Sequence, residues 1–236
     1  MATSQKSIFQ DLPPSLDFSI NPYAKILASN KAEQGLPIVY GSDLKGKAGK
    51  WKSYFESSSF HGVFPKKLVL EIGCHKGKTL NKMAAQNPDI AFVGMDITFK
   101  RVVLTARLAL QTDNSNVCAV LGDARHIEQV FAVNELDAVI AFFPDPWQKK
   151  RSQSHKKLFN SEFMKDLVQR LKPKGQFWFK TDSKSYFEDL VISASEAGLV
   201  QINKSQGIIT GEYESTFEAM FKNENLPTYE SLWKKI

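Results

Sequence analysis

Residues 67–97 read KLVLEIGCHKGKTLNKMAAQNPDIAFVGMDI, and their pattern decides the fold. Lys67–Ile72 is a short apolar run closed by glycine, the signature of a buried strand. Lys78–Gln86 sets Leu80, Met83 and Ala84 on one face of a helix. Ile90–Ile97 is a second apolar run of strand length. A strand, a glycine turn, an amphipathic helix and a strand make one βαβ unit, whose two strands are parallel.

Outward from this unit the alternation continues. Phe99–Leu110 reads as a helix with Val102, Val103, Ala106 and Leu110 inward. Val117–Val120 reads as a strand, Asp137–Phe143 as a strand, Glu162–Leu171 as a helix, Gln176–Lys180 as a strand and Phe187–Ala197 as a helix. The expectation is a doubly wound α/β domain with a mostly parallel sheet, its right-handed crossovers placing helices on both faces. Residues 1–65 read differently, punctuated by Pro13, Pro14, Pro22 and Pro37 and then by Gly41, Gly46 and Gly49. They are expected to form an N-terminal arm packed on a main domain of residues 66–236. Short helices are expected at Pro22–Ser29, capped by Asn21, and around Lys50–Phe55.

The bulk numbers narrow the class. A chain of 236 residues, 42% hydrophobic and 24% charged, has the composition of a folded domain rather than a disordered one. No stretch approaches the roughly 18 apolar residues of a membrane span. Met1–Pro14 has no apolar run of the signal-peptide kind. Cys74 and Cys118 form neither a metal spacing nor a disulfide framework. The four histidines, His61, His75, His126 and His155, show no ligand spacing. A cytoplasmic protein without a metal or a membrane is expected, as monomer or homodimer. The net charge of +6 permits an anionic partner without demanding one.

Ligands of doubly wound sheets bind beyond the carboxyl ends of the strands, so the residues that follow each strand are the candidates. Glu71-Ile72-Gly73-Cys74-His75-Lys76-Gly77 follows the first strand of the unit. Asp96 ends the next, 25 positions after Glu71, where an acid reaches ribose hydroxyls. Gly122-Asp123-Ala124 follows the third. A dinucleotide enzyme wants G-x-G-x-x-G, but here Lys78 stands where the third glycine belongs. Three acids at one sheet edge suit a ligand without phosphates. S-adenosylmethionine, with a sulfonium, an amine and a ribose diol, is such a ligand. The competing reading is that Asp96 and Asp123 cap helices.

The loop after the fourth strand is the most distinctive stretch. In Phe143-Pro144-Asp145-Pro146-Trp147 each proline biases the residue before it toward extended backbone, holding Asp145 at the mouth of the crevice. Lys149, Lys150, Arg151, His155, Lys156 and Lys157 follow with no acid between them. An aromatic beside a fixed carboxylate, then a basic run, suits a nucleotide base with phosphates alongside. A solvated loop is the alternative.

These residues together resemble the tRNA (guanine-N7-)-methyltransferase family. The likeness rests on Leu70-Glu71-Ile72-Gly73, Gly94-Met95-Asp96, Gly122-Asp123-Ala124, Phe142–Trp147 with Lys149-Lys150-Arg151, and Lys180-Thr181-Asp182. Lys45-Gly46-Lys47 with Gly49-Lys50-Trp51 is similar to the family's entry segment. The resemblance implies a Rossmann-like class I methyltransferase fold. It implies methyl transfer from S-adenosyl-L-methionine to N7 of the variable-loop guanosine of tRNA. By it, Glu71, Gly73, Gly77, Asp96, Asp123 and Asp145 line the cofactor site, and Asp145 is the catalytic acid. Lys149 and Asp182 meet the substrate nucleotide, while Arg151, Lys156 and Lys157 would hold phosphates. Near the C-terminus Ser215-Thr216-Phe217-Glu218 is the closer match to a Thr-x-Tyr/Phe-Glu element, placing Ser215, Phe217 and Glu218 at the substrate. Thr210 with Glu212-Tyr213-Glu214 is a second possible alignment.

The chain departs from the family at His75, where glycine is usual. A side chain there approaches the cofactor's methionine end, and weaker but retained binding is expected. Histidine tolerates left-handed backbone. Two other readings stay open: a methyltransferase fold that binds RNA without methylating it, and a methyltransferase with another substrate.

Overall fold

The computed structural model describes residues 8–9, 11–12, 19–33, 35–57, 64–145, 157–209 and 213–236. Its centre is an eight-stranded sheet in the order β1-β4-β3-β2-β5-β6-β8-β7. In chain order the elements are α1 (Pro22–Glu33), β1 (Ile38–Tyr40), α2 (Trp51–Ser57), β2 (Lys67–Ile72), α3 (Lys78–Gln86), β3 (Ile90–Asp96), α4 (Phe99–Gln111), β4 (Val117–Leu121), α5 (Ile127–Val130), β5 (Leu136–Phe142), α6 (Ser161–Arg170), β6 (Leu171–Thr181), α7 (Lys184–Glu196), β7 (Leu199–Ile202), α8 (Thr216–Asn223) and β8 (Tyr229–Lys235). All pairings are parallel except those of β8, which runs antiparallel between β6 and β7.

The strands at the centre read as continuous apolar runs because helices cover both faces of the sheet. All seven residues of β3 are buried. α3 buries Leu80, Met83 and Ala84, as its periodicity predicts. α4 buries Val102, Val103 and Ala106 but not Leu110, which is 47% exposed; Ala109 takes the inward position instead. At 100° per residue Ala109 follows Val102 and Ala106 along one stripe, while Leu110 is carried off its edge.

Within the first 65 residues, β1 and the segment 49–51 are stitched to the main domain. β1 pairs with β4, Ile38 opposite Ala119 and Tyr40 opposite Leu121. Trp51 is fully buried, stacked 5.5 Å from Phe131, and its Nε1 donates to the Val130 carbonyl at 2.8 Å. The Glu135 carboxylate accepts from the Gly49 and Trp51 backbone N–H groups. The glycine–lysine–tryptophan segment is thus a docking device whose partner lies just before β5.

The topology sets the site. β2 lies between β3 and β5, so the chain winds outward in one direction through β3 and β4 and in the other through β5 and β6. The helices diverge there and leave a crevice at the strand ends. In order along this edge stand Asp123, Asp96, Glu71, Asp145 and Asp182.

Candidate active site

A cavity of about 500 Å³ opens at this switch point, lined by Glu71, Gly73, Asp96, Asp123 and Asp145 among others. The volume is within the usual range for small-ligand sites. Asp96 is buried, its Oδ1 accepting from the Thr98 N–H at 2.9 Å. Glu71 Oε2 and Asp96 Oδ2 are buried and find no hydrogen-bond partner among the described residues. Arg101 stands 3.6 Å from Asp96 Oδ2, an ion pair beyond hydrogen-bond distance. Burial, reinforced by the charge of Asp96, pushes the Glu71 carboxyl up to about 8. Asp123 differs: burial works to raise it, but hydrogen bonds from the Arg125 side chain and backbone prevail and hold it low.

The glycine loop leaves β2 through left-handed backbone at Gly73 (φ 77°) and Gly77 (φ 68°). Gly73 lines the cavity; Gly77 does not. Gly77 instead precedes α3, where a β-carbon would sit 2.7 Å from the Thr105 side chain. Its place is therefore in the turn rather than against a ligand. His75 also takes left-handed backbone, φ 51°, the geometry expected of a tolerant residue in a glycine position. Its half-buried ring packs 5.2 Å from that of Phe217, tilted by 56°. Burial, then the nearby charge of Arg101, lowers its pKa.

After β5 the backbone differs from expectation. Phe143, predicted extended before Pro144, has φ 53°, strained for a bulky residue and doubly so before proline. The surroundings impose it: Phe143 N donates to the Lys180 carbonyl at 2.8 Å, and the ring lies 5.5 Å from Phe221. Such strain clusters at ligand sites. Here it turns the chain so that Pro144 and exposed Asp145 join the cavity wall.

α8 forms another wall. Ser215 caps it by accepting from the Glu218 N–H, and Ser215, Thr216 and Phe217 line the cavity. Glu218 turns away. Its carboxylate pairs with buried Lys180 at 2.6 Å, and that bond together with Lys222 outweighs burial and keeps the Glu218 pKa low. Of the Ser215–Glu218 element, Glu218 is consequently a tether rather than a cavity residue. Lys180 Nζ also donates to the Tyr213 carbonyl, binding the end of β6 to the approach of α8. Pairing of Lys180 with residues near the C-terminus was missed in the sequence; its signal was a lysine inside an otherwise apolar strand.

Asp182, exposed just past β6, lies outside the cavity lining. Lys157, expected to hold phosphate, is engaged by Asp189 of α7 and lies over the Tyr186 ring. Lys149, Arg151 and Lys156 lie outside the described residues, as do Pro146, Trp147 and Thr210. Cys74 and Cys118 are buried free thiols; burial pushes Cys118 up to about 12, which leaves it inert. Among the described residues no group of three or more His, Cys, Asp or Glu could hold a metal ion, and no helix is long and apolar enough to cross a membrane.

A family model described as a putative methyltransferase matches residues 65–232. The tRNA (guanine-N(7)-)-methyltransferase of Bacillus licheniformis is 35% identical over 193 residues, 79% of this chain and 86% of that one. The chain belongs to the tRNA (guanine-N(7)-)-methyltransferase family. The Bacillus subtilis methyltransferase of the same name is 33% identical over 84% of this chain and 91% of its own. The fold is that of class I methyltransferases. Solved relatives in fold include the aminoglycoside resistance methyltransferase NpmB1, with a TM-score of 0.53 and 16% identity over 73% of this chain and 88% of its own. The 16S rRNA methyltransferase KamB has a TM-score of 0.52 and 15% identity over 72% of this chain and 88% of its own.

Proposed function

We propose that this chain transfers a methyl group from S-adenosyl-L-methionine to N7 of the variable-loop guanosine of tRNA. It acts as a cytoplasmic enzyme, monomer or homodimer, with residues 1–65 as an arm on the methyltransferase domain of 66–236. The observation that carries the reading is the pair of buried carboxyls, Glu71 and Asp96, each with an oxygen that accepts no hydrogen bond among the described residues, both lining a ligand-sized cavity at the switch point. A buried polar atom without a partner costs free energy unless a ligand supplies one. The ribose hydroxyls and ammonium of the methyl donor are donors of that kind, so the residues present fit it.

When bound, S-adenosylmethionine supplies an electrophilic methyl group on a cationic sulfur. Glu71, Asp96 and Asp123 accept its hydrogen bonds, and Ile97, Ala124 and Leu158, also in the cavity wall, shelter its base. Guanine N7 has a lone pair and no proton, so no general base is required. The protein's work is to hold N7 in line with the methyl group. Asp145, at the cavity mouth, opposes the positive charge that grows on the purine, with Asp182 beside it at the next strand end. Lys149, Arg151 and Lys156 hold phosphates around the extruded base.

The test is transfer of labelled methyl from S-adenosylmethionine to an unmodified tRNA transcript, mapped by cleavage at N7-methylguanine. Label at the variable-loop guanosine is expected, with Asp145→Ala slowing transfer about 10²–10³-fold. Donor binding with no label in tRNA would overturn the reading.

A further inference from the structure

The segment 71–78 brings both an acceptor and basic groups to the cavity. Glu71 brings a buried carboxyl with an unpartnered oxygen. His75, Lys76 and Lys78 line the same cavity, joined by Arg101 of α4, and α3 begins here with its positive dipole end. A ligand part that answers both carries an amine and a carboxylate together, as the α-amino-acid end of a methyl donor does. His75 is also the one ring of this segment. Its left-handed backbone fixes where the side chain leaves the loop, its carbonyl accepts from Thr105 Oγ1 at 3.5 Å, and the ring is braced on Phe217 across the cavity wall. The cavity keeps its 500 Å³ with the histidine in place, so the side chain furnishes the pocket without filling it.

We propose that His75 is a positioning residue for the amino-acid end of the methyl donor, its imidazole N–H donating to the donor's carboxylate while Phe217 holds the ring. This rests on the donor-binding reading above. It replaces the expectation that a side chain at this glycine position only weakens binding. The charged groups facing His75 are Arg101 from α4, Lys76 and Lys78 from the loop and α3, and Asp96 from β3. Burial and those cations lower the free ring's pKa; a carboxylate bound beside it acts the opposite way.

The test uses the full chain and two probes. S-adenosylhomocysteine has the amino-acid end; 5′-methylthioadenosine lacks it. Proton NMR of the His75 ring, assigned by comparison with His75→Gln, should show its titration midpoint rising with S-adenosylhomocysteine and not with 5′-methylthioadenosine. By calorimetry, His75→Phe should weaken S-adenosylhomocysteine about tenfold, the scale of one hydrogen bond to a charged group, and leave 5′-methylthioadenosine unchanged. His75→Gln, which keeps a donor, should recover part of the loss. The proposal is overturned by an unmoved midpoint, by His75→Phe binding S-adenosylhomocysteine as tightly as the parent, or by equal loss of both probes, which marks a purely structural ring. If the parent chain binds neither probe, the donor-binding reading fails and takes this proposal with it.

Discussion

Glu71 shows how one side chain couples stability to ligand binding. With its carboxyl pushed up to about 8, the folded protein holds a proton that the unfolded chain releases near about pH 4.3. Between those values the native state binds more protons, so stability falls as pH rises across the window and levels off above it. Urea unfolding at pH 6 and pH 9 should show this loss in the parent chain and a much flatter profile in Glu71→Gln, which cannot ionise. The same substitution should weaken the methyl donor, because an amide NH2 donor can stand where a carboxyl oxygen accepts. Gly77 is a second single-residue lever. Gly77→Ala combines left-handed strain with a collision against Thr105 and should cost more than about 2 kcal/mol, read as a lower melting temperature.

Among the elements, α8 depends on a polar anchor. Lys180 and Glu218 are both buried, and removing Lys180 leaves Glu218 with only the exposed Lys222 as partner. Lys180→Met should destabilise by about 3–5 kcal/mol, whereas the double change Lys180→Met with Glu218→Leu should recover much of it; chemical denaturation of the three variants checks this. Because Glu218 is held low, its contribution is present at neutral pH and is lost as pH falls through its depressed pKa. The elements also divide by how openly the sequence announces them. α3, α4 and β2 to β5 follow from periodicity because sheet and helix bury one another in the expected way. β8 does not: Tyr229–Lys235 alternates weakly and is rich in charge. Its buried tryptophan is served by Ser231 Oγ, and Lys235 is spent on the Val168 and Leu171 carbonyls. The Lys235 partners are distant in the chain, so local pattern could not reveal the strand. The acids of the site were legible because topology alone sends them to one edge. The inward turn of Glu218 and the strained Phe143 were not, since both are set by Lys180.

For the whole molecule, charge distribution matters more than the excess of +6. If Lys149, Arg151 and Lys156 meet phosphates, replacing all three by alanine should reduce the slope of log affinity against log salt for tRNA by about 2–3, with methyl-donor affinity unchanged. Binding assays across a salt series measure it. The pairing of β1 with β4 has a consequence for association. β4 is apolar along its length and buried through Val120, and β1 is what occupies its outer backbone groups. A chain shortened to begin at residue 66 would present that strand as a bare edge, flat and greasy, ready to template a second molecule. Such a chain should scatter light and lose monomer on standing even where its cavity is intact, so the leading segment guards the sheet against self-association.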